Sequence, residues 1–338
     1  AMESTRRAVC QNNLKEFGIV FKMYANESDG EKWPTLKVRG SSWFDGFSGT
    51  TPADFAIESC NVPNGSSFVP DGQSIYPEYL SDTELFQCPS SSTYTKNDWH
   101  FGNNPAYPVD PCATTNDSYV YLGWGILEEH VILDGADPNA SVPSTTIDPD
   151  FVSVFADNTT FGGVLYENFF DFLLTGAAYD KDLSLQSVNP AATDRPIHRL
   201  KEGIERFYIT DINNPAASAM AQSTLPVMWD RTATNVKRDG FNHLPGGANV
   251  LYFDGHVDYL NFPGDHPTSR GYAFVISELY TRQSTKGMGI IWLCMAETKS
   301  SMNSFLNPFL VSTLKGIAWT WYICSQVRFP SPPVEGSV

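Results

Sequence analysis

Apolar positions near the N-terminus recur at helical spacing. Cys10, Leu14, Phe17, Phe21 and Tyr24 fall 4, 3, 4 and 3 residues apart, one face of an α-helix, and Asn26, Ser28, Asp29 and Gly30 end the pattern. The spacing predicts a helix over 3–26. A different period governs residues 249–260. There Val250, Tyr252, Val257 and Tyr259 alternate with other positions around Asp254-Gly255. This predicts paired strands over 249–253 and 256–260 joined by a type I′ turn, with Gly246-Gly247 breaking the chain before the first strand. Between the two ends, 119–127 reads as a core strand with a glycine-marked bend and 225–229 as a strand. A short helix at 76–80 and a strand at 83–88 are expected. Residues 128–133 extend the core strand or begin a short helix. The stretch 198–210 starts helix-like and ends strand-like, 161–178 is partly helical, and 271–281 forms a short amphipathic helix. Pro, Gly, Ser and Asn make 31–118 and 134–160 rich in loops.

These elements predict an α+β fold: an N-terminal amphipathic helix packed on a small antiparallel β-sheet with long loop insertions. They divide the chain into the helix (1–30), a head (31–282) and an apolar extension (283–338). Within the extension, 308–324 is apolar nearly all round, with Lys315 its only charge. Asn307 suits the cap of a helix there and Pro308 its first position. Seventeen residues would span about 25 Å, short of a membrane crossing, so burial against the head or a neighbouring copy is expected.

The chain has 338 residues, 41% hydrophobic and 18% charged, with a formal net charge of −16. That balance argues against a nucleic-acid partner and against docking on an anionic membrane surface, both of which need clustered Lys and Arg. The six cysteines contain no CxxC pair. In an exported protein some of them would pair, in a connectivity the sequence leaves open; buried free thiols are the other reading.

No nucleophile elbow, P-loop, dinucleotide fingerprint or His-Glu-x-x-His stands in the chain, so no enzymatic activity is expected. One constellation of metal-ligand type is Asp230, His243, Asp254 and His256; for Asp254 and His256 a purely structural role in the turn competes. A second candidate is the loop of Asp134, Asp137 and Asn139, whose oxygen side chains and nearby glycine suit Ca²⁺.

Several segments resemble one family. CQNNLKEFG at 10–18, FQCPS at 86–90, KEGIERFYITDINNPAAS at 201–218, PVMWDR at 226–231 and FNHLPGGANVLYFDGHV at 241–257 are similar to bacterial type IV pilin-like and pseudopilin-like proteins, particularly the large planctomycete type. The likeness covers about 1–265 discontinuously. It implies a prepilin leader and an apolar half-helix upstream of Ala1, through which alone the protein would meet a membrane. It also implies a place outside the cell or in its envelope, and a structural subunit that associates with itself. The extension beyond about 283 departs from the pattern. Expected assembly residues are Leu14, Phe17, Phe21 and Tyr24 on the helix, and Phe309, Leu310, Leu314 and Trp319 in the extension. Two other functions compete: a secreted ligand- or glycan-binding module using loop aromatics such as Trp33, Trp43 and Trp99, and, more remotely, a metal-dependent enzyme around His243 and His256.

Overall fold

A computed structural model describes residues 2–40, 60, 62–91, 99–101, 104–132, 135–140, 180–187, 196–208, 215–232, 242–243 and 246–276. All of them lie in the first of the two units into which the chain divides, Ala1–Tyr280 and Thr281–Val338. The expected helix at 161–178, Trp43, Asp134 and the extension with Phe309, Leu310, Leu314 and Trp319 lie outside the described residues.

The fold is α+β. Helix α1 (Met2–Glu27) lies on an antiparallel sheet of four strands, β3 (Tyr119–Tyr121), β6 (Pro226–Asp230), β7 (Gly247–Tyr252) and β8 (Val257–Asn261), in the order β3-β6-β7-β8. Two small antiparallel pairs flank it: β1 (Leu36–Gly40) with β2 (Val62–Pro70), and β4 (Leu183–Ser184) with β5 (Pro196–Ile197). Helix α2 (Pro215–Thr224) runs directly into β6. The predicted helix over 3–26 therefore forms nearly residue for residue. Ser28 N–H bonds the Tyr24 carbonyl, and Gly30 and Glu31 take positive φ to turn the chain out of it.

The apolar stripe of α1 is consumed inside the subunit. Leu14, Phe17 and Phe21 are fully buried against the chain's own sheet and the segment around Phe86, so they are core rather than an assembly surface. Phe17 meets Phe86 and Tyr119 edge-on, and Phe21 packs on Tyr121 and Trp33. Tyr24 is half-buried against Tyr79. Strand alternation divides the sheet into two faces. Tyr119, Tyr121, Met228 and Leu251 point to α1, while Val120, Trp229 and Val250 enter a second core with Trp124, Tyr272 and Val275.

The hairpin forms in the predicted place, but its turn is not type I′. Gly255 N–H bonds the Tyr252 carbonyl, and Tyr252 N–H bonds the His256 carbonyl. Gly255 has φ +93°, whereas Asp254 does not have positive φ. This is a three-residue loop closed by a bulge. The reason is Phe253. It is fully buried and stacks on Trp33 at 4.8 Å, and its N–H and that of Asp254 bond back to Leu225 and Gln222. A two-residue turn would leave Phe253 in the strand. Gly247, expected as a breaker, is instead the first residue of β7. A Cβ there would lie 2.2 Å from the Tyr259 hydroxyl and 2.6 Å from the Leu260 carbonyl, at φ +150°. Gly247→Ala should therefore cost about 2–4 kcal/mol, read as a lower urea midpoint at unchanged slope.

Other expectations shift. Thr83–Phe86 is a 3₁₀ turn rather than a strand, because Asp82 accepts the Glu84 N–H and caps it. The expected helix at 76–80 falls just after a single helical turn, Gly72–Ile75. The core strand is short: it ends at Tyr121, and Gly123 (φ +80°) turns the chain away. Glu128–His130 forms a 3₁₀ turn. Around 198–210 the order is reversed, with bridges at Arg199 and Lys201 preceding a 3₁₀ turn at Ile204–Phe207. Residues 270–276 are helical, as expected of 271–281. Among the described residues no helix is long and apolar enough to cross a membrane.

The second core contains an acid-sensitive pair. His130 accepts the Leu127 N–H at 3.0 Å, and His266 bonds the Ile126 carbonyl at 2.9 Å. Burial pushes both imidazoles down to about 4, from an ordinary value near 6.5. The unfolded chain thus binds protons more readily between those values. The stability these neutral rings contribute is present above about pH 6.5 and is lost as pH falls through about 4. The predicted loss is at most about 3 kcal/mol per ring. Denaturant midpoints at pH 7 and pH 4.5 should differ clearly, and by less in His266→Gln. Equal pH sensitivity in the variant would contradict the assignment for His266.

Candidate functional site

The same alternation that sends Tyr119 and Met228 toward α1 also sends Asp230 and Asn249 there, at the polar end of the helix face. Above them lie the first turns of α1, with Glu3, Arg7, Cys10 and Asn13. Cys88 enters after the 3₁₀ turn, where its N–H bonds the Ser118 hydroxyl at 2.9 Å. His243 enters from the segment before β7, fixed by Asn242, whose amide bonds the Ser118 carbonyl. The result is a buried polar seam between helix and sheet. Cys10, Cys88, Asp230 and His243 are all fully buried, and their ligand atoms lie within 4.8 Å of one another.

The two sulfurs approach to 2.9 Å. His243 Nε2 lies 3.6 Å from Cys88 Sγ and 3.0 Å from Asp230 Oδ2, while Nδ1 lies 2.7 Å from Glu3 Oε1. Asp230 Oδ2 also accepts the Asn249 backbone N–H at 2.8 Å and its side-chain amide at 2.7 Å. The Ser90 hydroxyl donates to Glu3 at 3.0 Å, and Asn13 donates to the Gln87 carbonyl at 3.0 Å. Burial opposes charge on His243, but its hydrogen bonds to Asp230 and Cys88 and the Asp230 charge outweigh burial and push the imidazole up to about 11. Burial alone would raise Glu3; its bonds to His243 and Ser90 lower it instead. The Cys10–Cys88 hydrogen bond raises the Cys10 thiol, reinforced by burial, and lowers Cys88 to about 7. His243 is thus an imidazolium held between two carboxylates.

Two cysteines, a histidine and a carboxylate are donors that zinc accepts. The spacing does not fit. Sulfurs sharing a tetrahedral zinc stand about 3.8 Å apart, given Zn–S near 2.3 Å, and a liganding imidazole must give up one of its protons. The arrangement suits a close thiol pair beside an ion pair. It also offers no open face to a substrate.

Comparison with known proteins returned no match. No family model, no curated protein and no solved structure matches this chain. The site is therefore read from its own residues.

Of the constellation expected from sequence, Asp230 and His243 come together, while Asp254 and His256 do not join them. Those two form a local pair in the hairpin turn. Asp254 accepts the His256 N–H at 3.0 Å and meets its Nδ1 at 2.5 Å, and the His256 ring stacks on Tyr252. Cys10 and Cys88 take their places, a pairing across 78 residues that no local spacing announces. Glu3 and Asn249 were likewise not foreseen. In the loop read as a Ca²⁺ site, Asp137 accepts the Asn139 N–H, and Asn139 bridges the Gly264 carbonyl and the Arg270 N–H. The Asn139 side chain thus ties the loop to backbone on two sides. Trp33 and Trp99 are buried core residues, so neither offers a face for stacking on a sugar.

One further surface bears on function. Against the stripe that α1 buries, its outer side exposes Met2, Val9, Ile19 and Met23, interleaved with Asn12 and Glu16.

Proposed function

We propose that this chain is a structural subunit of an extracellular or envelope-associated pilus-like assembly, acting by self-association. The observation that carries the reading is the double-sided apolar character of α1. Its inner face is spent on the subunit's own core, yet Val9, Ile19 and Met23 stand 42%, 54% and 45% exposed on the far side. A 26-residue helix held rigidly on a sheet, with apolar groups outward, suits packing against the same helix of another copy. The likeness of 10–18 and 241–257 to pilin-like segments supports that occupant. The Cys60–Cys112 disulfide supports an oxidising, extracytoplasmic setting. The burial of Trp33 and Trp99 takes support from the glycan-binding reading, and the closed Cys–His–Asp seam takes it from the enzymatic one.

The test is sedimentation of the full chain from about 1 to several hundred micromolar. Concentration-dependent association is expected, and Ile19→Lys with Met23→Lys should weaken it at least tenfold while leaving the melting temperature within about 2 °C. A chain that is monomeric throughout, or association indifferent to both changes, would sink the reading.

A further inference from the structure

We propose that Cys10 and Cys88 are the two halves of a second structural disulfide, which fastens α1 covalently to the segment following the Thr83–Phe86 turn. Three observations carry this. The sulfurs are 2.9 Å apart, about 0.9 Å from the bonded length near 2.05 Å. Both side chains are fully buried in packed surroundings, so neither sulfur has another cysteine to choose among the described residues. The chain already contains Cys60–Cys112, so it folds where thiols meet an oxidant.

The chemistry is thiol–disulfide exchange with a small or protein disulfide, RSSR. Cys88, flanked by the His243 imidazolium, attacks one sulfur of RSSR as thiolate, and RS⁻ leaves and takes a proton from water. Cys10 then loses its proton and attacks Cys88 Sγ, expelling the second RS⁻. In sum, two thiols and RSSR give the Cys10–Cys88 bond and two RSH. Because both sulfurs are inaccessible in the folded chain, exchange must precede the seating of α1 or accompany its lifting from the sheet. Once formed, the bond is shielded from reductants by the same burial. It closes a loop of nearly 80 residues and acts on the end of the helix that carries Glu3 and Arg7, where the apolar stripe no longer reaches.

The experiment uses the wild-type full chain, refolded from denaturant in a glutathione redox buffer, then alkylated in denaturant without reductant and mapped by peptide mass. A linked peptide pair containing Cys10 and Cys88 is expected beside the Cys60–Cys112 pair, which serves as internal control. Cys10→Ser, Cys88→Ser and the double variant should each lower the melting temperature by a similar amount, roughly 10 °C, since breaking one bond from either end is the same loss. Three results would overturn the proposal. The first is both cysteines alkylated while Cys60–Cys112 is linked. The second is either cysteine bound to a different partner. The third is free thiols accompanied by about one equivalent of zinc that a chelator removes, which would make the cluster a metal centre.

Discussion

Arg199→Ala is expected to be the most damaging single substitution in the described part of the chain. The side chain is 2% exposed, and its guanidinium donates to four backbone carbonyls: Gly123 at 2.5 Å, Leu200 at 3.3 Å, Trp33 at 2.5 Å and Pro34 at 2.8 Å. The Arg199 backbone N–H bonds Asp182 at 2.7 Å, and Asp180 lies 3.6 Å from Nε. One planar fork thus joins the segment leaving α1, the bend after β3 and the bridge at 199. The Gly123, Leu200 and Pro34 carbonyls also accept from the Leu200 N–H, the Trp33 N–H and the Tyr121 hydroxyl, so the cost lies mainly in the lost charge-assisted bonds, each worth about 1.5–3 kcal/mol. The total is at least about 4 kcal/mol, a large share of the 5–15 kcal/mol typical of a domain. Soluble yield should fall sharply, or the urea midpoint should collapse. Arg199→Lys should recover only part of the loss, because an ammonium lacks the planar fork. A midpoint within about 0.5 kcal/mol of wild type for the alanine variant would refute this account.

Asp230→Ala ranks second, at about 3–5 kcal/mol, because it leaves the buried imidazolium with only the half-exposed Glu3 carboxylate opposite it and strips the Asn249 backbone N–H and side-chain amide of the oxygen they share. Asp230→Asn keeps the shape and gives a sharper readout. The folded pKa of His243 is raised, so its contribution to stability is complete below about pH 6.5 and is lost progressively as pH rises through about 11. Wild type should therefore lose stability between pH 7 and 9.5, and the asparagine variant should show a flatter alkaline limb in paired urea titrations. An identical limb would mean that His243 does not carry this charge.

What could be read from the sequence was what local periodicity encodes. Helix α1 was legible because five apolar residues held one face over four turns, and the hairpin because Asp254-Gly255 interrupts two alternating runs. The hairpin's turn type was not legible, since it is decided by where Phe253 has to go, a contact with Trp33 some 220 residues away. Residues 83–88 looked like a strand by composition, but the Asp82 cap curls them. Helix α2 was missed because PAASAMAQST is nearly featureless and exposes much of its surface. The candidate site was half legible. Asp230 and His243 drew attention as chemistry-bearing residues near the hairpin, but Cys10 belonged to the helix stripe and Cys88 to the end of an expected strand. Nothing in spacing joins residues that meet only when α1 lies across the finished sheet. Arg199 carried no pattern at all.

The packing of α1 on β7 and β8 also sets a timetable. About 220 residues separate the end of α1 from Gly247, and the first helix cannot bury Leu14, Phe17 and Phe21 fully until that hairpin exists. At roughly 5–20 residues per second, synthesis leaves the helix without its platform for about 10–40 s. Throughout that interval Leu14, Phe17 and Phe21 have no finished sheet to cover them. Among the described elements, the helix that is made early is therefore seated late.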